Sequence, residues 1–145
     1  IYTILFVAAS DVYKRQVKEG TDATIVAWGA LVQKSVEAAK KIEEETGKSI
    51  EIIDPRTIVP FDMDAVKASL EKTNRLLICH EEHKTSGFAG EIAAKVNEEC
   101  FEALDAPIMR VAAKDVHCAY NPGLEEVILP QTNDVYEQLK NLLNY

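Results

Sequence analysis

Long apolar runs are missing from this 145-residue chain. No segment reaches the roughly 20 consecutive apolar residues that a membrane helix needs, so a membrane-spanning role is not expected. The longest such run, Ile1 to Ala9, has neither an initiator Met nor a basic stretch before it, which argues against a signal peptide. Cysteine is scarce as well. Cys79, Cys100 and Cys118 form no C-x-x-C pair, and an odd count argues against a disulfide scaffold and for a reducing, cytoplasmic setting of bacterial type. Positive charge is in deficit, 16 basic residues against 24 acidic, for a net charge of −8. Nucleic acid and anionic membrane surfaces are therefore poor partners, and a basic protein a better one. Three motifs are absent too: G-x-G-x-x-G, G-x-x-x-x-G-K-[ST] and H-E-x-x-H.

What remains is an ordinary globular composition, 47% hydrophobic and 28% charged, long enough for one domain. Ala23 to Trp28 is rich in β-branched and aromatic residues and reads as a buried strand. Apolar positions at helical spacing then run from Leu31 to Thr46, with Gly47 placed to end the helix in a left-handed conformation. Ser49 to Asp54 alternates into a second strand. Pro55 and Pro60 make the next stretch a connector, and Asp62 or Asp64 caps a helix that reaches Thr73.

The centre of the chain is Leu76 to Val96. A short apolar run, Leu76 to Cys79, has the look of a strand buried on both faces. A polar turn, His80 to Ser86, follows, then a helix whose first turn holds Gly87 and Gly90 and whose apolar face is Phe88, Ile92 and Val96. Ile108 to Ala112 makes a fourth strand. Lys114 to Pro130 is irregular apart from one turn at Leu124 to Ile128, and Thr132 or Asn133 caps a last helix with Val135, Leu139 and Leu142 inward. Strands alternating with helices imply an α/β fold, a largely parallel sheet with helices on both faces. Residues 1–16, ending SDVYKRQ, resemble translated adapter sequence and are read as a non-native leader to a domain at 17–145.

Chemistry is thin. The His80-Glu81-Glu82-His83 loop, with Cys79, His117 and Cys118, invites a metal site, but its histidines are three apart rather than four along a helix. Cys79 and His80 are neighbours on a strand and point to opposite faces, so they make no nucleophile–base pair. The glycines at 87 and 90 serve close packing more readily than phosphate binding, because no phosphate motif is complete. Trp28 belongs to the core or an interface, and Arg56 pairs most simply with Asp54. A domain of this kind without a catalytic set points to binding or assembly.

Four segments carry a resemblance in the right order: DATIVAWGALVQKSVEAA, IEIIDPRTIVPFD, LLICHEEHKTSGFAGEIAAKVNEECFEALDAPIMRV and YNPGLEEVILP. Over about residues 17–143 the chain resembles the C-terminal domain of transketolase-like enzymes, and most of all the β subunit of the decarboxylating component of 2-oxo acid dehydrogenase complexes (pyruvate, branched-chain or acetoin). Where that family usually has Thr-Gly-Gly-Phe-Gly, this chain has Thr85-Ser86-Gly87-Phe88-Ala89.

The resemblance implies a three-layer α/β/α sandwich with a mostly parallel five-stranded sheet, one edge strand antiparallel. It implies that the parent enzyme oxidatively decarboxylates a 2-oxo acid and passes the acyl group to a lipoyl-acyltransferase. Thiamine diphosphate and magnesium would sit on other domains of the parent, with none bound and no catalysis by this part alone. The partners implied are the α subunit, a second β subunit and the basic subunit-binding domain of the acyltransferase. On that footing His80, Glu81, Phe88 and Glu91 are expected at a subunit contact, and the Leu142, Leu143 and Tyr145 end near the acyltransferase site. The alternative is a stand-alone α/β domain that binds a small anion or nucleotide at the helix opening after Ser86.

Overall fold

The computed structural model describes residues 15–145. Five strands form one sheet in the order β1-β3-β2-β4-β5. They are β1 (Arg15–Lys18), β2 (Ala23–Ala27), β3 (Ile50–Asp54), β4 (Leu76–His83) and β5 (Met109–Ala113). β1 runs antiparallel to β3, and every other pair is parallel. Between and after them lie α1 (Ala30–Thr46), α2 (Met63–Thr73), α3 (Phe88–Cys100), α4 (Pro122–Ile128) and α5 (Thr132–Leu142).

Period-two alternation sorts the strand side chains into two cores. Ile25, Ile50, Ile52, Leu77 and Cys79 face one side, against Leu31, Ala38 and Ile42 of α1 and Val135 and Leu139 of α5. Val26, Ile53, Leu76 and Ile78 face the other, against Val66 and Leu70 of α2 and Ile92 and Val96 of α3. The central strands are therefore apolar on both faces, as the near-continuous runs ATIVA and LLIC require. The chain steps from β2 to β3 in one direction and from β3 across to β4 in the other. That reversal puts a switch point at the carboxyl ends of β2 and β4, where open α/β sheets hold ligands.

The helix ends follow local chemistry. Asp62 caps α2 by accepting the Ala65 N–H at 3.0 Å, and Gly47 ends α1 at φ 73°. Asn121 caps α4, which starts two residues before the expected turn because Pro122 is preset for the first helical position. For α5 the cap is Gln131 rather than Thr132 or Asn133. Its N–H is taken by Asp134 at 2.7 Å in a reciprocal box, and its side-chain oxygen is held by Lys34 of α1 at 2.9 Å.

Two other differences bear on the site. β4 continues through His83, which pairs with Ala113 beyond an irregularity in the register, so His80 to His83 are strand rather than turn. The fifth strand is β1, which straddles the boundary expected between residues 16 and 17: Arg15 and Gln16 pair with Asp54 and Ile53. The rest of the expected leader, residues 1–14, lies outside the described residues.

Several polar groups inside the sandwich are paired. Thr24 shares hydroxyl hydrogen bonds with Ser69 and Thr73 of α2, each at 2.6 Å. The carboxylate of Glu51 is nearly buried on β3, and it accepts from Lys72 at 2.5 Å and from Gln16 at 3.1 Å. Removing the lysine strands a buried anion. Lys72→Ala is expected to cost about 1–3 kcal/mol in urea unfolding, with part of it recovered when Glu51→Gln is added. An undiminished loss in the double variant would show that the pair is not the cause.

Candidate functional site

The switch-point crevice is closed by this chain's own side chains. Trp28 leaves the end of β2 and stacks on His80 of β4, ring centroids 5.2 Å apart and 15° from parallel. Phe88, the first residue of α3, meets Trp28 edge-on at 6.4 Å and Phe61 at 6.1 Å. Aromatic pairs at such separations add to area burial.

His80 lies beneath this cluster, fully buried, and among the described residues neither ring nitrogen has a hydrogen-bond partner. Burial holds its pKa below the usual value. The Glu82 carboxylate, 3.7 Å from Nδ1, acts in the opposite sense, and the Arg110 guanidinium adds to the lowering. Glu82 does a second thing: its Oε2 accepts the Phe88 N–H at 2.8 Å and so caps α3.

Gly87 makes the arrangement possible. A Cβ there would lie 2.3 Å from the His83 carbonyl oxygen and 2.7 Å from His80 Cε1, so no other residue fits. Ser86, which replaces a glycine usual in the resembled family, keeps a glycine conformation at φ 62°. That left-handed backbone costs an L-residue about 1–2 kcal/mol. The other replacement, Ala89, is helical and buried without strain. At the opposite lip Gly29 takes φ 62° and ψ −140° as it opens α1. Glu81 Oε2 comes within 3.3 Å of where a Gly29 Cβ would be, setting a carboxylate at the positive end of a helix that lacks a side-chain cap.

The expected interface residues separate into two groups. Glu81 and Glu91 are exposed, and Glu91 also lies 4.0 Å from Lys95 along α3. Phe88 is half-buried in the aromatic cluster, and Tyr145 is exposed. His80, Leu142 and Leu143 are corrected: all three are buried within this chain, so their side chains offer no contact surface. Leu142 follows Leu139 by one helical step into the core shared with α1, and Lys48 ties down the Leu143 carbonyl at 2.8 Å. Trp28, read from the sequence as core or interface, and Glu82, read as part of the His-Glu loop, both belong to the site, as does Phe61, which did not stand out. Trp28 at a strand end was the available signal.

Cys79 and His80 do face opposite sides of the sheet, and burial pushes the Cys79 thiol up to about 12. Such a thiol is inert. His83 and His117 come together with Asp115 and Thr85 around a shallow recess of about 310 Å³, away from His80. There His83 bonds the Val116 carbonyl at 2.8 Å, and Asp115 accepts the Thr85 N–H at 2.9 Å and hydroxyl at 2.6 Å. Those two bonds hold the Asp115 carboxyl below its usual range. Among the described residues, no three His, Cys, Asp or Glu side chains are grouped so as to hold a metal ion.

A diphosphate does not suit the crevice. The α3 donor it would need already serves Glu82, the carboxylates of Glu81 and Glu82 would repel it, and the cleft is filled by Trp28, His80 and Phe88.

Comparison with known proteins is consistent in direction. The transketolase C-terminal domain family matches residues 13–135. The pyruvate dehydrogenase E1 component subunit beta of Staphylococcus epidermidis is 40% identical over 136 residues, which are 93% of this chain and 41% of the relative. The same subunit from Staphylococcus aureus gives the same figures. This chain thus spans about two fifths of the length of these relatives. Among solved structures, one described as a split gene transketolase, inactive beta4 tetramer, superposes with a TM-score of 0.77 at 27% identity, covering 90% of this chain and 41% of that one. A Pichia stipitis transketolase complex with sedoheptulose-7-phosphate reaches a TM-score of 0.62 at 15% identity, over 95% of this chain and 19% of that one, and speaks for the fold alone.

Two outcomes are expected from the crevice. Gly87→Ala should destabilise by on the order of 3 kcal/mol, because backbone rather than a flexible side chain must yield; a variant melting with the wild type would refute that close approach. In the folded protein His80 should titrate below its unfolded value of 6.5. The unfolded chain then binds the proton first, so this histidine's contribution is complete above that value and is lost as pH falls through it toward the folded pKa. An NMR titration midpoint for His80 at or above 6.5 would contradict this.

Proposed function

The chain belongs to the transketolase C-terminal domain family, and we propose that it is the assembly and partner-docking domain of a thiamine diphosphate-dependent 2-oxo acid dehydrogenase β subunit. The observation that carries the reading is 40% identity to pyruvate dehydrogenase E1 β subunits over nearly the whole chain. In this proposal the parent enzyme decarboxylates a 2-oxo acid oxidatively and hands the acyl group to a lipoyl-acyltransferase. Thiamine diphosphate and magnesium are held by the parent's other parts. The chemistry of the crevice supports that division, since a carboxylate occupies the helix N-terminus a diphosphate would use. The same feature counts against the stand-alone anion or nucleotide binder.

The partners proposed are the α subunit, a second β subunit and the subunit-binding domain of the acyltransferase. The net charge of −8 suits a basic docking domain. The split-gene relative described as a beta4 tetramer supports contact between like subunits. Unpaired cysteines agree with a cytoplasmic setting. Of the surface residues, Glu81, Glu91 and the rim of Phe88 are assigned to a subunit contact, and Tyr145 to acyltransferase docking.

Two measurements test this. Glu81→Ala with Glu91→Ala should weaken association of the full-length subunit in sedimentation velocity, and unchanged sedimentation removes those residues from the contact. Tyr145→Ala in this chain should weaken calorimetric binding of a basic subunit-binding domain by about tenfold, roughly 1.4 kcal/mol. No binding by the wild-type chain would sink the docking role.

A further inference from the structure

His80 is a fully buried histidine whose two ring nitrogens find no partner among the described residues. A buried polar atom left unpaired is unfavourable, so the ring gains from any group that comes within reach. Side chains two apart on a strand share a face, which puts His80 and Glu82 on the same side of β4, below the start of α3. Arg110 reaches that side from β5, where it pairs in register with Ile78. Its guanidinium donates to the Lys84 carbonyl at 3.2 Å and lies beside Gly90 of α3. Glu82 and Arg110 are the charged groups that face the ring. Trp28 at the end of β2 and Gly87 ahead of α3 pack against it and bring no charge, while Glu81 points the other way, toward Gly29.

One atom joins the ring to the helix. Glu82 Oε2 accepts the Phe88 N–H at 2.8 Å, and the same oxygen lies 3.7 Å from His80 Nδ1. The second distance exceeds the roughly 2.7–3.2 Å of a hydrogen bond, so the oxygen serves the helix and not the ring. Glu82 is exposed, which leaves its carboxylate room to move.

We propose that His80, Glu82 and the Phe88 N–H form a proton-operated latch on the first turn of α3. While the ring is neutral, Glu82 holds that turn. A proton taken up from solvent makes the ring a buried cation, which is costly unless an anion pairs with it. The nearest anion is Glu82. Its bond to an imidazolium is charged at both ends and stronger than its bond to a neutral amide, so the carboxylate crosses to the ring and gives up Phe88. Gly87 offers no side-chain cap in its place, and the turn is released about Ser86 and Gly87. Arg110 opposes the charging of the ring and so moves the release to more acidic pH. Every group involved belongs to this chain, so the latch does not depend on the assembly reading.

The test follows Phe88 amide protection by NMR, corrected for the pH dependence of intrinsic exchange, as the 145-residue chain is taken from about pH 8 to about pH 4. Trp28 emission is the second probe, because this is the chain's one tryptophan and it stacks on the ring. Phe88 protection should fall at least about tenfold, and Trp28 emission should change with it, around a midpoint below 6.5 while the far-UV circular dichroism stays constant. Glu82→Gln still accepts from Phe88 but attracts the cation less, so the midpoint should drop and Phe88 should stay protected through it. Arg110→Gln should raise the midpoint. His80→Phe should abolish the response of both probes. Flat probes down to the pH at which the dichroism is lost, a Phe88 amide still protected once Trp28 has responded, an unaltered curve in His80→Phe, or midpoint shifts of the opposite sign would each overturn the proposal. Unchanged association in the Glu81 and Glu91 variants would count against the assembly reading and leave the latch untouched.

Discussion

The contact on which the site depends is between two pieces of backbone. Gly87 lies against the His83 carbonyl with no room for a side-chain atom. That approach draws the start of α3 onto the end of β4. It brings the Phe88 N–H within reach of Glu82 and places the Phe88 ring beside Trp28 and Phe61. Without it the helix would begin farther out, the aromatic cluster would open, and His80 would meet water. Each later element of the site inherits its position from this junction.

Closing the crevice has an electrostatic side. The end of α1 and the end of α3 both present helix N-termini at the switch point, the usual invitation to an anion. Here the anions are covalent parts of the chain: Glu81 lies over Gly29 and Glu82 caps Phe88. His80 sits between them as a neutral ring, kept so by burial and by Arg110. The helix ends that open α/β sheets commonly turn toward ligands are here met by the chain's own carboxylates. What is left to the outside is surface charge, exposed aromatic and aliphatic side chains, and a strand edge.

The fold was legible where local signals agreed with tertiary ones. The both-face apolar runs at Ala23 and Leu76, the helical spacing from Leu31, and Gly47 all read correctly because burial and backbone preference demand the same thing. The misses share a cause. β4 reads as ending at Cys79 because His80 to His83 are polar, yet pairing with β5 carries the strand on to His83. Gln131 is an unusual cap, and it serves because Lys34, far away in sequence, holds its side chain. Leu142 was correctly read as inward from its helical period, and that same burial withdraws it from the surface role the family resemblance suggested. Periodicity reports which side chains are buried. It does not report whether the thing they are buried against belongs to the same chain.

That last distinction separates the two ends of the domain. α5 follows the ordinary rule: an apolar stripe, Val135, Leu139 and Leu142, fully covered by α1 and the sheet. α4, three residues upstream, has Leu124 and Val127 exposed and, among the described residues, uncovered. The two helices differ in what faces them, not in pattern, so nothing in sequence periodicity tells them apart.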